Sequence, residues 1–469
     1  MKSNSRDRTR PKSVSVPGAG HNGFTPRHST TVAMVPLERV SCTRRQLKRF
    51  KPDLIELHCA NIRAIDLIPP ILVDGTYNLV HGLEIYLAAK ELGVSHIPVI
   101  VMDHLSEAEI GRYRLFLTKG VELSTWDADA LKLEFDFILD SGEDLDLSLS
   151  GFTLPEIDNL LLAPATDSDD DIPEPQQEGV TTRGDLWLLD GGTHRILCGS
   201  ALDAEDYQTL MQGERAQMVV ADPPYGVPIQ GHVSGLGKKT HAEFVQGSKS
   251  MSREELEQFL RESFLLMKLH SVDGAVHAIW MDWRGMQQIL AAAEGVYHQT
   301  LNMCVWDKQR GGMGSLYRSQ HELCFIFKTT DHPHRNNVEL GKNGRTRSNV
   351  WSYPGLAQMG PSRARDLADH PTIKPTGLIY EIIRDVATRN NIVLDPFLGS
   401  GTTIIAAHRA HRRGFGMDLD PRYVDIALRR ISERTGLTAV LAETGESFAE
   451  VTARRAAEVT ASEEVRDAS

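Results

Sequence analysis

Apolar residues in this chain recur in short runs set between longer amphipathic stretches, most regularly in the second half. Trp187–Leu189, Met218–Ala221, Ala275–Trp280, Leu323–Phe327 and Ile392–Leu394 have the length and composition of buried strands. Arg253–Leu269 and Leu378–Thr388, lying between some of them, repeat apolar positions every three to four residues and predict helices. Strands alternating with helices over residues 183–435 predict an α/β domain with a largely parallel, doubly wound sheet.

The first half has a weaker pattern. Pro70–Val73 reads as a strand before the turn Asp74-Gly75, Leu83–Leu92 as a helix stopped by Gly93, and Ile97–Val101 as a short buried strand. These make residues 31–120 a smaller α+β domain. Helical patterns at Asp129–Leu139 and Leu154–Leu162 form a connector over 121–163. Residues 164–182, with Asp169-Asp170-Asp171, are an acidic linker by composition. Residues 1–30, rich in Ser, Arg, Pro and Gly, read as a disordered basic tail, and 436–469, rich in Ala, Glu and Arg, as a C-terminal tail, helical at best.

Charge changes the picture only when it is taken locally. The net charge is −12, which on its face disfavours a polyanionic partner. Yet residues 1–51 hold 12 Lys/Arg against 2 Asp/Glu, residues 122–185 hold 2 against 18, and residues 335–365 hold 6 against 1. Such segregation leaves basic patches able to steer nucleic acid, although charged termini and linkers are also what solvation alone would give. Five cysteines without a Cys-x-x-Cys pair give neither a disulfide framework nor a zinc site, and no metal is expected. The polar, basic N-terminus lacks a signal's apolar core, and no apolar run is long enough to span a membrane, so a cytoplasmic protein is expected.

Two motifs carry chemistry. Asp395-Pro396-Phe397-Leu398-Gly399-Ser400-Gly401-Thr402 follows the strand Ile392–Leu394 and opens a helix. Glycines let the backbone approach a ligand, and a helix start offers free N–H groups. Asp418, 19 residues after Gly399, ends the next strand and is placed for ribose hydroxyls. The loop lacks a third glycine and carries the acidic Asp395, which suits a sulfonium better than a pyrophosphate. The second motif, Asp222-Pro223-Pro224-Tyr225, follows Met218–Ala221. Two prolines make a rigid loop. The Asp222 carboxylate and the Pro223 carbonyl can accept both hydrogens of an exocyclic amine, and the Tyr225 ring can stack on a base extruded into the pocket.

With both motifs in place, residues 183–435 resemble the DNA amino-methyltransferases of the permuted β class, in which the catalytic motif precedes the cofactor motif. His370-Pro-Thr-Ile-Lys374-Pro-Thr-Gly-Leu378 matches a third motif of that family. The resemblance implies a Rossmann-like methyltransferase sheet, S-adenosylmethionine as cofactor and double-stranded DNA as partner, the chemistry of restriction–modification systems. It makes Asp222, Pro223, Pro224 and Tyr225 catalytic, and Asp395, Phe397, Gly399, Ser400, Gly401, Thr402, Asp418 and Lys374 cofactor-binding. Where the family commonly has Cys-Gly-Asp, the chain reads Cys198-Gly199-Ser200; Ser200 is expected to take the adenine contact, with Asp203 as the substitute. An Asp rather than a Ser at position 222 favours N6 of adenine over N4 of cytosine. Residues 307–365, with Arg310-Gly-Gly-Met-Gly314 and Lys342-Asn-Gly-Arg-Thr-Arg347, occupy the position of the target-recognition segment.

Residues 31–120 resemble the ParB-like domain, through Tyr77-Asn-Leu-Val80, Gly82, Ala88-Ala-Lys90, Leu92-Gly93 and Ile97–Val101. Gly82-Leu-Glu-Ile85 replaces the Gly-Glu-Arg-Arg that grips phosphates in that family, so CTP binding is not expected. A regulatory DNA-binding protein with a vestigial methyltransferase unit is the alternative from another class, and a homodimer is left open.

Overall fold

The computed structural model describes residues 31–140, 145–161, 170, 179–225, 251–311, 316–340, 347–354 and 374–467. They fall into two units, one built by the residues up to Asp129 with Asp146–Gly151, the other by the remaining residues from Ala130 onward. The basic tail, most of the acidic linker, and His370-Pro371-Thr372-Ile373 lie outside the described residues.

The first unit contains β1 (Val32–Pro36), α1 (Pro52–Ile65), β2 (Ile71–Asp74), β3 (Leu79–His81), α2 (Leu83–Glu91), β4 (His96–Met102) and α3 (Glu107–Gly120). Its sheet has the order β1-β4-β2-β3, with β2 and β4 parallel and the outer pairs antiparallel. Ile71, Val73, Ile97 and Val99 bury one face against Ala89 of α2. Gly82 begins α2 in the left-handed region, φ 94°, and Leu83-Glu84-Ile85 form its first turn.

α4 (Ala128–Asp140) runs across the division and is followed by α5 (Leu154–Leu161). The large sheet then follows: β5 (Leu186–Leu189), β6 (His194–Cys198), α6 (Ala204–Met211), β7 (Ala216–Ala221), α7 (Arg253–Leu269), β8 (Ser271–Met281), α8 (Met286–Ala293), β9 (Gln299–Asp307), β10 (His321–Lys328), β11 (Val350–Ser352), α9 (Thr376–Val386), β12 (Ile392–Asp395), α10 (Thr402–Arg409), β13 (Arg413–Asp418), α11 (Pro421–Thr435), β14 (Ala439–Leu441) and α12 (Phe448–Asp467). Strand order is β11-β9-β10-β8-β7-β12-β13-β6-β5-β14. The central five, β8 to β6, are mutually parallel. β10, β9 and β5, β14 add antiparallel wings, so the sheet is more mixed than the sequence predicts. Helices cover both faces. α6, α7 and α8 bury Leu210, Phe264 and Ile289 on one side; α9 and α10 bury Ile383 and Ala407 on the other.

The segment after Gly436 is part of this fold rather than a tail. β14 pairs with β5, Val451 of α12 is fully buried, Phe448 packs edge-on to Trp187 at 5.3 Å, and Arg455 binds Asp185 at 2.5 Å. A few apolar anchors and the ion pairs of Arg454 with Glu446 and Arg455 with Asp185 hold a helix whose average composition is polar.

Candidate active site

β7 and β12 are adjacent and parallel, with Met218 opposite Val393. The chain leaves them in opposite directions, from β7 to β8 on one side and from β12 to β13 on the other. A doubly wound sheet opens a crevice at such a reversal, beyond the carboxyl ends of its strands. Here both sequence motifs sit at that point. They line a cavity of about 1150 Å³, its open mouth included, together with Trp280, Lys374, Asp418, Asp420 and Tyr423.

One half of the cavity is the loop after β12. Gly399 has φ 53° and nothing within 4 Å of where a Cβ would stand, so its backbone stays open to a ligand. Gly401, φ 84°, does not line the cavity. A Cβ there would meet the Ala427 Cβ at 3.0 Å, and its absence lets α10 approach α11. The Gly399 amide donates to Asp418 Oδ2 at 2.9 Å and the Asp420 amide to Asp418 Oδ1 at 2.9 Å. Asp395 accepts from Thr403 Oγ1 at 2.5 Å and from the Phe397 amide at 3.0 Å. Burial outweighs these hydrogen bonds, pushing Asp395 up to about 7 and Asp418 up to about 6. Ser400 and Thr402 line the cavity, but their hydroxyls accept from the buried Arg430, each at 2.8 Å.

Ser200 and Asp203 are not in the cavity wall. The Ser200 hydroxyl accepts from the Leu202 amide at 3.2 Å and its own amide donates to Asp206 at 2.7 Å. Asp203 caps α6. Both side chains serve the start of that helix.

The other half is the loop after β7. Asp222, Pro223, Pro224 and Tyr225 all line the cavity. The Tyr225 hydroxyl donates to Asp222 Oδ1 at 2.8 Å. Lys374, assigned to the cofactor on sequence grounds, lines the cavity and turns its ammonium to carboxylates. It lies 2.5 Å from Asp222 Oδ2 and 3.0 Å from Glu322 Oε2, with the Trp280 ring 5.2 Å away. Burial drives the Asp222 carboxyl upward and Lys374 pulls it back. Glu322, Lys308 and Arg430 were not foreseen. Glu322 follows His321 at the start of a strand, where nothing in the local pattern distinguishes it from an edge residue. Of the basic residues expected to face DNA, Arg347 is tied to Asp385 at 3.1 Å, while Gly312–Gly314 and Lys342–Thr346 lie outside the described residues.

The wall carries Asp222, Asp395, Asp418 and Asp420 against Lys374. An anionic pocket with an open glycine backbone and the aromatic Phe397 and Tyr423 fits a nucleoside bearing a cationic centre and disfavours a pyrophosphate. Among the described residues no group of His, Cys, Asp or Glu is placed to hold a metal ion, and no helix is long and apolar enough to cross a membrane.

This is the architecture of a nucleoside-cofactor enzyme acting at a switch-point crevice. The family described as DNA methylase matches residues 216–429, and the ParB-methyltransferase HTH domain matches residues 129–183. The first match spans somewhat under half of the chain and makes residues 216–429 similar to the N6/N4 DNA methylases, while the second makes residues 129–183 similar to a ParB-methyltransferase domain. The type II methyltransferase M2.LlaDCHI of Lactococcus lactis subsp. cremoris is 27% identical over 47% of this chain and 83% of its own. M2.DpnII of Streptococcus pneumoniae is 27% identical over 49% and 87%. Among solved structures, the cytosine-N4-specific PvuII DNA methyltransferase is 14% identical, covering 55% of this chain and 90% of its own with a TM-score of 0.39.

A cationic ligand favours ionised carboxylates. S-adenosylmethionine affinity is therefore expected to rise between about pH 5.5 and 8, as Asp418 and Asp395 lose protons in the free protein. Asp418→Ala is expected to weaken binding by about 1–3 kcal/mol and to flatten the lower part of that rise. Calorimetry across pH checks both; an unchanged profile would remove Asp418 from the cofactor site.

Proposed function

We propose that this protein transfers a methyl group from S-adenosylmethionine to N6 of adenine in double-stranded DNA. The observation that carries the reading is the placement of Asp222, on the rigid Pro-Pro loop after β7, in one cavity with the Gly399 loop after β12. When bound, S-adenosylmethionine supplies an electrophilic methyl on a sulfonium. Asp418 would hold its ribose hydroxyls, and Phe397 and the open Gly399 backbone its adenosine. Each carboxylate oxygen can accept more than one hydrogen bond. Asp222 thus retains acceptor capacity for a target amine while Lys374 and the Tyr225 hydroxyl fix its orientation. Holding the amine's hydrogens on Asp222 and the Pro223 carbonyl localises its lone pair for attack. With its hydroxyl bound to Asp222, the Tyr225 ring is held rigidly at the cavity wall, where a flipped base can stack on it.

N4 of cytosine is the second reading, favoured by the same loop chemistry on a different ring. The relatives are type II methyltransferases, so site-specific modification of DNA on the nucleoid, in the cytoplasm, is the setting we infer. Residues 307–365 are the segment we assign to target recognition and residues 31–120 the ParB-like domain. Tritiated methyl transfer to unmethylated genomic DNA, followed by nucleoside analysis, tests the proposal. N6-methyladenine is the expected product; N4-methylcytosine moves the protein to the second reading, and no labelled base overturns both.

A further inference from the structure

The carboxylate of Asp222 is one end of a row of charges leading out of the cavity. Asp222 pairs with Lys374 at 2.5 Å, Lys374 with Glu322 at 3.0 Å, and Glu322 with Lys308 at 2.5 Å. The Tyr225 hydroxyl lies between the carboxylates, 2.8 Å from Asp222 and 3.4 Å from Glu322. Glu322 stands on β10, Lys308 just past β9 and Lys374 just before α9. Three segments besides the catalytic loop are therefore needed to assemble the row. The side chains of Lys374 and Glu322 are 6% and 9% exposed, that of Lys308 30%. The row is thus buried at its centre and wet at its outer end.

Two carboxylates and two ammoniums sum to zero formal charge. The methyl transfer proposed above, on which this inference rests, brings a cation to that row. As the N–C bond forms and the S–C bond breaks, the electron pair stays on sulfur and the positive charge passes to nitrogen, which then gives up one proton to water. An uncompensated buried ammonium beside this path would oppose both cofactor binding and the charge developing on the amine. We propose that Glu322 is a positioning residue that neutralises Lys374, allowing Lys374 to orient Asp222 without weakening it as an acceptor, and that Lys308 tunes Glu322 from the solvent side.

Titration behaviour agrees with this geometry. Burial resists charge on Glu322, but Lys374 and Lys308 overcome it and hold the carboxyl at about 2, so Glu322 is ionised at every working pH. Asp222 is raised by burial first; Lys374 lowers it, and Glu322 raises it again. The other groups facing Asp222 are Tyr225 on its own loop, Asp395 from the β12 loop and Cys324 on β10.

The test uses the full-length protein and two readouts, the pH profile of kcat and the calorimetric affinity for S-adenosylmethionine. Glu322→Gln leaves the row at +1. It is expected to weaken cofactor binding about tenfold and to lower kcat by at least as much. It should also move the acid limb of kcat down by about one pH unit, because Lys374 then favours ionised Asp222 unopposed. Lys308→Met leaves the row at −1 and is expected to move the limb the other way, with no loss of cofactor affinity. The double variant returns to zero and is expected to recover most of the affinity lost in Glu322→Gln. Limbs that move in the same direction in the two single variants, or a double variant that binds no better than Glu322→Gln, would overturn the inference. If Glu322→Gln does not fold, the upward shift in Lys308→Met decides alone. A wild type that transfers no methyl group to DNA defeats the proposed function instead, and the affinities then decide the role of Glu322.

Discussion

Asp222→Ala is expected to lower kcat for methyl transfer by about 100- to 1000-fold and to weaken S-adenosylmethionine binding only about tenfold, the effect expected of one negative charge lost from the row it shares with Lys374, Glu322 and Lys308. Asp222 stands on the loop after β7, and the contacts expected for the cofactor come from the separate segment 395–418. The substitution removes an acceptor that acts on the amine only as charge builds on nitrogen, so the loss in kcat exceeds the loss in affinity. It does not strand a buried cation, because Lys374 keeps Glu322 at 3.0 Å. The variant is therefore expected to fold, and Asp222→Asn, which keeps the shape, should be equally impaired. Tritiated methyl transfer with a parallel calorimetric titration measures both quantities. Wild-type turnover in either variant would mean that the chemistry happens elsewhere.

The parts of the fold that could be read from the sequence are those where local signal and tertiary role coincide. α7 is one. Ser252 and Glu255 form a reciprocal cap at its start, and its apolar period buries Leu256, Phe259, Leu260 and Phe264. β7 and β12 are others, since central parallel strands are apolar on both faces and stand out as runs. β9 was missed because it lies near the sheet edge. Its first residues are mostly exposed, and its pairing with β10 shifts register between Ile326 and Phe327, so the two-residue alternation is lost. β14 is three residues long and is defined by its partner β5 rather than by its own sequence. The site divides in the same way. Asp222, Tyr225, Asp395 and Asp418 lie in or just after motifs whose spacing is itself the signal. Glu322 and Arg430 acquire their roles only when β10 is set beside β7's neighbour β8 and α11 is packed under the β12 loop. Ser200 is the converse case: its position in a motif suggests a ligand contact, while its hydrogen bonds serve the start of α6.

Arg430→Ala is expected to cost about 3–5 kcal/mol of stability and to weaken S-adenosylmethionine binding about tenfold or more, although Arg430 does not line the cavity. The residue is fully buried on α11. Its Nη1 donates to the Ser400 carbonyl at 3.1 Å, the Ser400 hydroxyl at 2.8 Å and the Thr402 hydroxyl at 2.8 Å. Its Nη2 reaches the Thr376 hydroxyl at 3.4 Å, at the start of α9. One guanidinium thus fixes the loop between Gly399 and α10 and joins it to the helix that follows Lys374. Alanine leaves these acceptors buried without that donor, and the loop must then be ordered by the ligand itself. Arg430→Lys keeps the charge but lacks the planar fork, so it should recover stability in part and affinity less. Urea unfolding and calorimetry on the same preparations separate the two effects. Full affinity in a destabilised Arg430→Ala would show that the loop is shaped without it, and full stability would show that its hydrogen bonds are replaced by water.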